Sequence, residues 1–116
     1  MCNVSFFNSE MVRAELAEIS ELQEMVYGNV FDFYRMDKEQ KKHHVELLQR
    51  LLEKQRVLYT RMSLSDDPEA QEMKERIVDS ARMMGLQEGM DISYMFGNME
   101  KLLETMKKEI DKQGDS

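Results

Sequence analysis

The chain has 116 residues, 41% apolar and 34% charged, with five glycines, one proline and no tryptophan. That length supplies one domain whose core needs neither metal nor disulfide. So few breakers among so much Leu, Met, Glu and Lys exclude a sheet-built fold in favour of long helices, and a formal net charge of −7 repels phosphate backbones.

Eight residues, "MCNVSFFN", precede the first helix signal and are expected to fray, as are residues 113–116. Cys2, the single cysteine, has no internal disulfide partner, which fits a reducing compartment. No apolar run approaches the roughly 20 residues of a membrane span, and the N-terminus lacks a basic stretch followed by an apolar one. The expectation is a cytoplasmic protein with no membrane partner.

Ser9 is a plausible N-cap with Glu10 placed for the helix dipole. Behind it Val12, Leu16, Ile19, Leu22, Val26, Val30 and Phe33 step by threes and fours, which predicts one helix face over residues 9–35. Gly28 and Asn29 make a kink or break there an open alternative. Asp37 with Gln40 has the form of a capping box and predicts a second helix over 37–63. Its wide apolar face of Leu47, Leu48, Leu51, Leu52, Leu58, Tyr59 and Met62 suits a helix that touches two neighbours.

Asp67 followed by Pro68 starts a third helix, since Pro is preorganised at the first helical position. It runs through Met73, Ile77, Val78, Ala81 and Met84 to a stop at Gly85, covering 68–84. Asp91 or Ser93 caps the last helix, 91–112, where Ile92, Met95, Met99, Leu102 and Met106 recur at a and d spacing. The predicted fold is therefore all-α: a small antiparallel bundle in which a long hairpin, 9–35 with 37–63, carries two shorter helices. Such a hairpin, covered over only part of its length, leaves apolar surface at one end. A homo-oligomer, preferably a dimer, would cover it.

Three features bear on function. Residues 37–64 hold seven basic side chains against four acidic ones, in a chain that is acidic on either side. Lys38, Lys41, Lys42, Lys54, Arg56 and Arg61 are accordingly a candidate docking face for an acidic protein or for nucleic acid. The simpler reading is a basic helix lying between acidic ones, fixing topology more than adding stability. His43 and His44 point about 100° apart on a helix and cannot share an ion. With no other histidine and no usable cysteine, no metal site is expected and both read as solvated. The third feature is twelve methionines. Core filling is the default, with Met83, Met84, Met90 and Met95 as a plastic binding patch should they cluster around the third loop.

No phosphate-binding glycine loop, no nucleophile with a base and no zinc-ligand spacing occurs. The run Glu15, Glu18, Glu21 and Glu24 steps by three, drifts around the helix and makes a solvated face rather than a carboxylate pair. The expectation is a non-enzymatic protein without catalytic residues or cofactor.

Three segments carry a resemblance: "SFFNSEMV", "MDKEQKKHHVELLQRLLEKQRVLYTRMSLSDD" and "MFGNMEKLLETMKKEID". In order and spacing they resemble a family of small uncharacterised helical proteins of cyanobacteria and their phages. The pattern is an aromatic pair before Ser-Glu, here Phe6, Phe7, Ser9 and Glu10; then Asp37, Glu39, Lys41 and Lys42; then Arg61 and Met62 before Leu64, Ser65, Asp66 and Asp67. The match is weak over residues 68–90, and "KKHH" departs from the aromatic or aliphatic residues expected after the Lys pair. The resemblance implies a cyanobacterial setting, reached in some members by way of a phage genome, and a host protein as partner; it supplies no mechanism. The reading favoured is a protein–protein interaction or regulatory factor, with a nucleic-acid-associated regulator using helix 38–61 as the alternative.

Overall fold

The computed structural model describes residues 6–113. It is all-α: α1 (Glu10–Asn29), α2 (Lys38–Leu64), α3 (Pro68–Met83) and α4 (Ile92–Lys112), with 3-10 turns at Phe6–Asn8 and Val30–Arg35. Of the ends expected to fray, residues 1–5 and 114–116 lie outside the described residues, Phe6–Asn8 form the first 3-10 turn, and Gln113 caps α4.

Each helix begins where local chemistry dictates. Ser9 Oγ accepts from the Val12 N–H. Asp37 and Gln40 make the reciprocal capping box, at 2.8 and 3.1 Å. Asp67 Oδ1 accepts from the Glu69 N–H at 3.0 Å, with Pro68 in the first turn. Asp91, rather than Ser93, caps α4 by accepting from the Ser93 N–H at 3.0 Å. The other Asp67 oxygen accepts from the Phe6 N–H, so one carboxylate starts α3 and also holds the N-terminal aromatic pair.

The ends are equally specific. Gly85 sits at φ +115°, the Leu86 N–H donates to Ala81 O at 2.9 Å and the Gly85 N–H to Arg82 O at 3.1 Å. That is a Schellman ending, and its apolar contact is made within one cluster by buried Ala81 and Leu86. At the end of α2 the Gln71 amide donates to Ser65 O at 2.6 Å and to Met62 O at 3.1 Å, the latter also accepting from the Ser65 N–H at 3.2 Å.

Helix α2 is the axis of the molecule. On one side α1 runs antiparallel to it, and Ile19, Leu22 and Val26 pack with Leu51 and Leu58. On another side α4 runs antiparallel, shown by the order of its links: Asp111 to Lys42, Lys107 to Glu46, Glu104 to Gln49, Glu100 to Arg56. Helix α3 joins the two clusters through Ile77, a half-buried side chain packed against both of them. The molecule measures 62 × 33 × 19 Å, so it is about two helix diameters thick and much longer than it is deep.

Three expectations change. The continuous helix expected over 9–35 is α-helical only to Asn29 and then tightens into a 3-10 turn, without the break that Gly28 left open. The change from 3.6 to 3.0 residues per turn alters the phase of the face. Val30 is therefore 47% exposed while Phe33 lies on α2. Leu16, Met73, Met84 and Met99, placed on inner faces by periodicity, are exposed. His44, expected to be solvated, is buried at 4% exposure, because Phe33 folds over it with ring centroids 5.4 Å apart.

Candidate interaction surfaces

The basic side chains of α2 face carboxylates of the same chain. Lys42 Nζ lies 3.1 Å from Asp111 and Lys54 Nζ 2.5 Å from Glu18. Arg56 reaches Glu53 at 2.6 Å and Glu100 at 3.2 Å, and Arg61 reaches Glu15 at 3.1 Å and also Met11 Sδ. Lys41 lies over the Phe33 ring, 5.8 Å from its centroid, and Lys38 is half-buried and also engaged within the chain. The pairs shift the groups as charge predicts. The hydrogen bond and charge of Lys54 lower the Glu18 carboxyl below its usual range, and Asp111 raises Lys42 in the same way. The acidic run of α1 thus divides: Glu15 and Glu18 meet α2, while Glu21 and Glu24 are exposed.

His43 is exposed, and His44 is buried with Nδ1 lacking a hydrogen-bond partner among the described residues. Burial first, and the neighbouring His43 second, lower its pKa, so the ring is neutral at pH 7. Both histidines line a 720 Å³ cleft between the second 3-10 turn and α2, together with Asp32, Arg35, Glu39 and Gln40. Among the described residues no three His, Cys, Asp or Glu side chains are grouped to hold a metal ion, and no helix is long and apolar enough to cross a membrane.

Two apolar features lie near opposite ends of α2. Toward its C-terminal half, Met84, Leu86, Met90, Tyr94, Met95, Met99 and Leu102 line a 390 Å³ groove beside the α3–α4 connection. Of the four methionines singled out in the sequence, Met84, Met90 and Met95 meet here, joined by Met99; Met83 is 89% exposed and does not line it. At the other end, just before α2 begins, Tyr27, Phe31 and Tyr34 are 65%, 84% and 73% exposed. The second 3-10 turn contributes no buried residue of its own. Sequence reasoning missed this aromatic group. Its signal was the spacing of 27, 31 and 34, hidden by a stripe that included Val30 and Phe33.

Residues 4–110 match the family described as a domain of unknown function, DUF1825. The chain belongs to the DUF1825 family. The family pattern spans the aromatic pair at the N-terminus, the whole of α2 and nearly all of α4, so these surfaces lie on DUF1825 structure rather than on an appended segment. Comparison with curated proteins and with solved structures gives no match.

Proposed function

We propose that this DUF1825 protein is a non-enzymatic interaction or regulatory factor, acting through its apolar surfaces on a protein partner. The setting implied by the resemblance is a cyanobacterial cytoplasm, reached in some instances from a phage genome. The observation that carries the reading is the pairing of a methionine-lined groove with a separate exposed aromatic group. Contiguous apolar surface of this kind marks association sites, and methionine adapts to the shape of what it meets.

The basic helix supports the alternative less well. Lys42, Lys54, Arg56 and Arg61 already face carboxylates, so a phosphate backbone would have to displace them against a net charge of −7.

The test is co-precipitation from cyanobacterial lysate with three baits: wild type, Tyr94→Ser/Leu102→Asp in the groove, and Lys41→Glu/Arg50→Glu on α2. The expected result is a stoichiometric protein partner held by the wild type and the α2 variant and lost by the groove variant. Loss only in the α2 variant, or salt-sensitive recovery of nucleic acid, would overturn the reading.

A further inference from the structure

The groove and the aromatic group are chemically complementary, and both belong to one chain. We propose that the protein pairs with a second copy of itself, the aromatic group of each copy seating in the methionine groove of the other. This rests on the interaction reading above and names one partner for it.

Four observations lead here. First, the 3-10 turn brings Phe31 and Tyr34, three residues apart, onto one side, while Phe33 turns inward onto His44. The exposed rings therefore project as a group rather than scatter around a helix. Second, the groove offers thioether sulfurs and Leu102 at its wall, the surroundings in which an aromatic ring gains most from sulfur contact. Third, the two features lie at different ends of α2: the aromatic group just precedes Lys38, while the groove is lined by Met99 and Leu102, either side of the Glu100 that pairs with Arg56. A two-fold axis at right angles to α2 that turns both features of one copy toward the other would satisfy both contacts and close the assembly, as an isologous dimer requires. Fourth, the charges agree. Arg35, stacked at 5.7 Å on the Tyr34 ring, travels with the aromatic group, and the exposed Glu88 and Asp91 are chain neighbours of the lining residues Gln87 and Met90. Antiparallel pairing sets that guanidinium opposite carboxylates.

The test is sedimentation equilibrium on the full chain, with helicity by circular dichroism and thermal midpoint recorded for every variant. The wild type is expected to dimerise from a subunit mass of 13.8 kDa. Phe31→Ser/Tyr34→Ser and Met99→Asp/Leu102→Asp, all at exposed positions, should each weaken association by at least about tenfold, as loss of a central anchor does. Mixing the two variants is the decisive arm. Each homodimer has two damaged contacts, whereas the mixed dimer keeps one contact intact, so the mixture should associate more tightly than either variant alone. Arg35→Glu should weaken the dimer, and adding Glu88→Arg should restore it.

A wild type that stays monomeric at several hundred micromolar overturns self-pairing, as does a dimer indifferent to both variants. A mixture no tighter than its components overturns the reciprocal arrangement. A monomeric wild type that still captures a protein through the groove leaves the interaction reading standing and removes only the second copy as occupant. Absence of both removes the two together.

Discussion

An imidazole packed against Phe33, with Nδ1 unpartnered, is tolerated in the interior only while it is neutral. The folded-state pKa of His44 therefore lies below its ordinary value of 6.5, for which burial is the main cause and His43 the lesser one. Above that value both folded and unfolded chains hold the ring neutral, and its contribution to stability is complete. As the pH falls below 6.5 the unfolded chain takes up the proton first, so the contribution declines until the folded pKa is reached. Asp32 and Glu39 line the same cleft, but so do Arg35 and His43, and Lys41 lies over the same Phe33 ring, so the pKa of His44 stays lowered. His44→Phe is expected to flatten the fall in thermal midpoint between about pH 7 and 5, while exposed His43→Gln, which removes only the lesser cause, flattens it far less. Thermal melts at several pH values decide this. An unchanged slope in His44→Phe would place the acid sensitivity elsewhere. The sequence did not disclose this environment, because Gly28 and Asn29 marked an irregularity without saying that the chain would tighten into a 3-10 turn and carry Phe33 over His44.

The helix starts and the glycine stop, in contrast, were legible, because each start depends on a side chain bonding to backbone within three residues and the stop on a φ that favours glycine. Asp37, Asp67, Asp91 and Gly85 all act where their positions in the sequence placed them. What periodicity could not give was the neighbour of each stripe. On α4 the a and d positions Met99 and Leu102 are exposed at 44% and 60%, while Ile92 and Ile110 are buried, with Phe96 at their side packed on Tyr59. A repeat says that a helix has an apolar side but not which edge of that side a partner takes, and the uncovered edge became the groove. Gly85 tests how much one such boundary contributes. Its φ of +115° favours glycine, and an added Cβ would meet nothing within 4 Å, so the penalty is conformational rather than steric crowding from neighbours. Gly85→Ala should destabilise by about 1–2 kcal/mol, read as a lower denaturant midpoint with unchanged slope. Because Leu86 follows directly, the same change should loosen the groove wall. A midpoint within error of the wild type would mean that the connection readjusts freely.

At the scale of the molecule, stability is unevenly distributed along α2. Both apolar clusters draw on its middle and C-terminal half, and α4 contributes to them only through Ile92, Met95 and Phe96. Beyond Phe96, α4 holds to α2 by buried Ile110, with Leu103 and Met106 half-buried, and by pairs at the surface, Glu100 to Arg56, Glu104 to Gln49, Lys107 to Glu46 and Asp111 to Lys42. Exposed pairs contribute little each and are screened by salt. A helix fastened in this way can open along its second half while α1, α3 and the rest of α2 stay folded. Native-state hydrogen exchange should therefore show residues 103–112 exchanging through a local opening, and Leu51–Leu58 only through global unfolding. Raising the ionic strength should accelerate the first set relative to the second, and Lys42→Gln/Lys107→Gln should do so at low salt. Equal protection along α4 and α2 would instead mean that burial of Ile110 and the fully enclosed Val45 binds the two helices into one cooperative unit. The charge pairs would then serve only to set the register of α4 along α2.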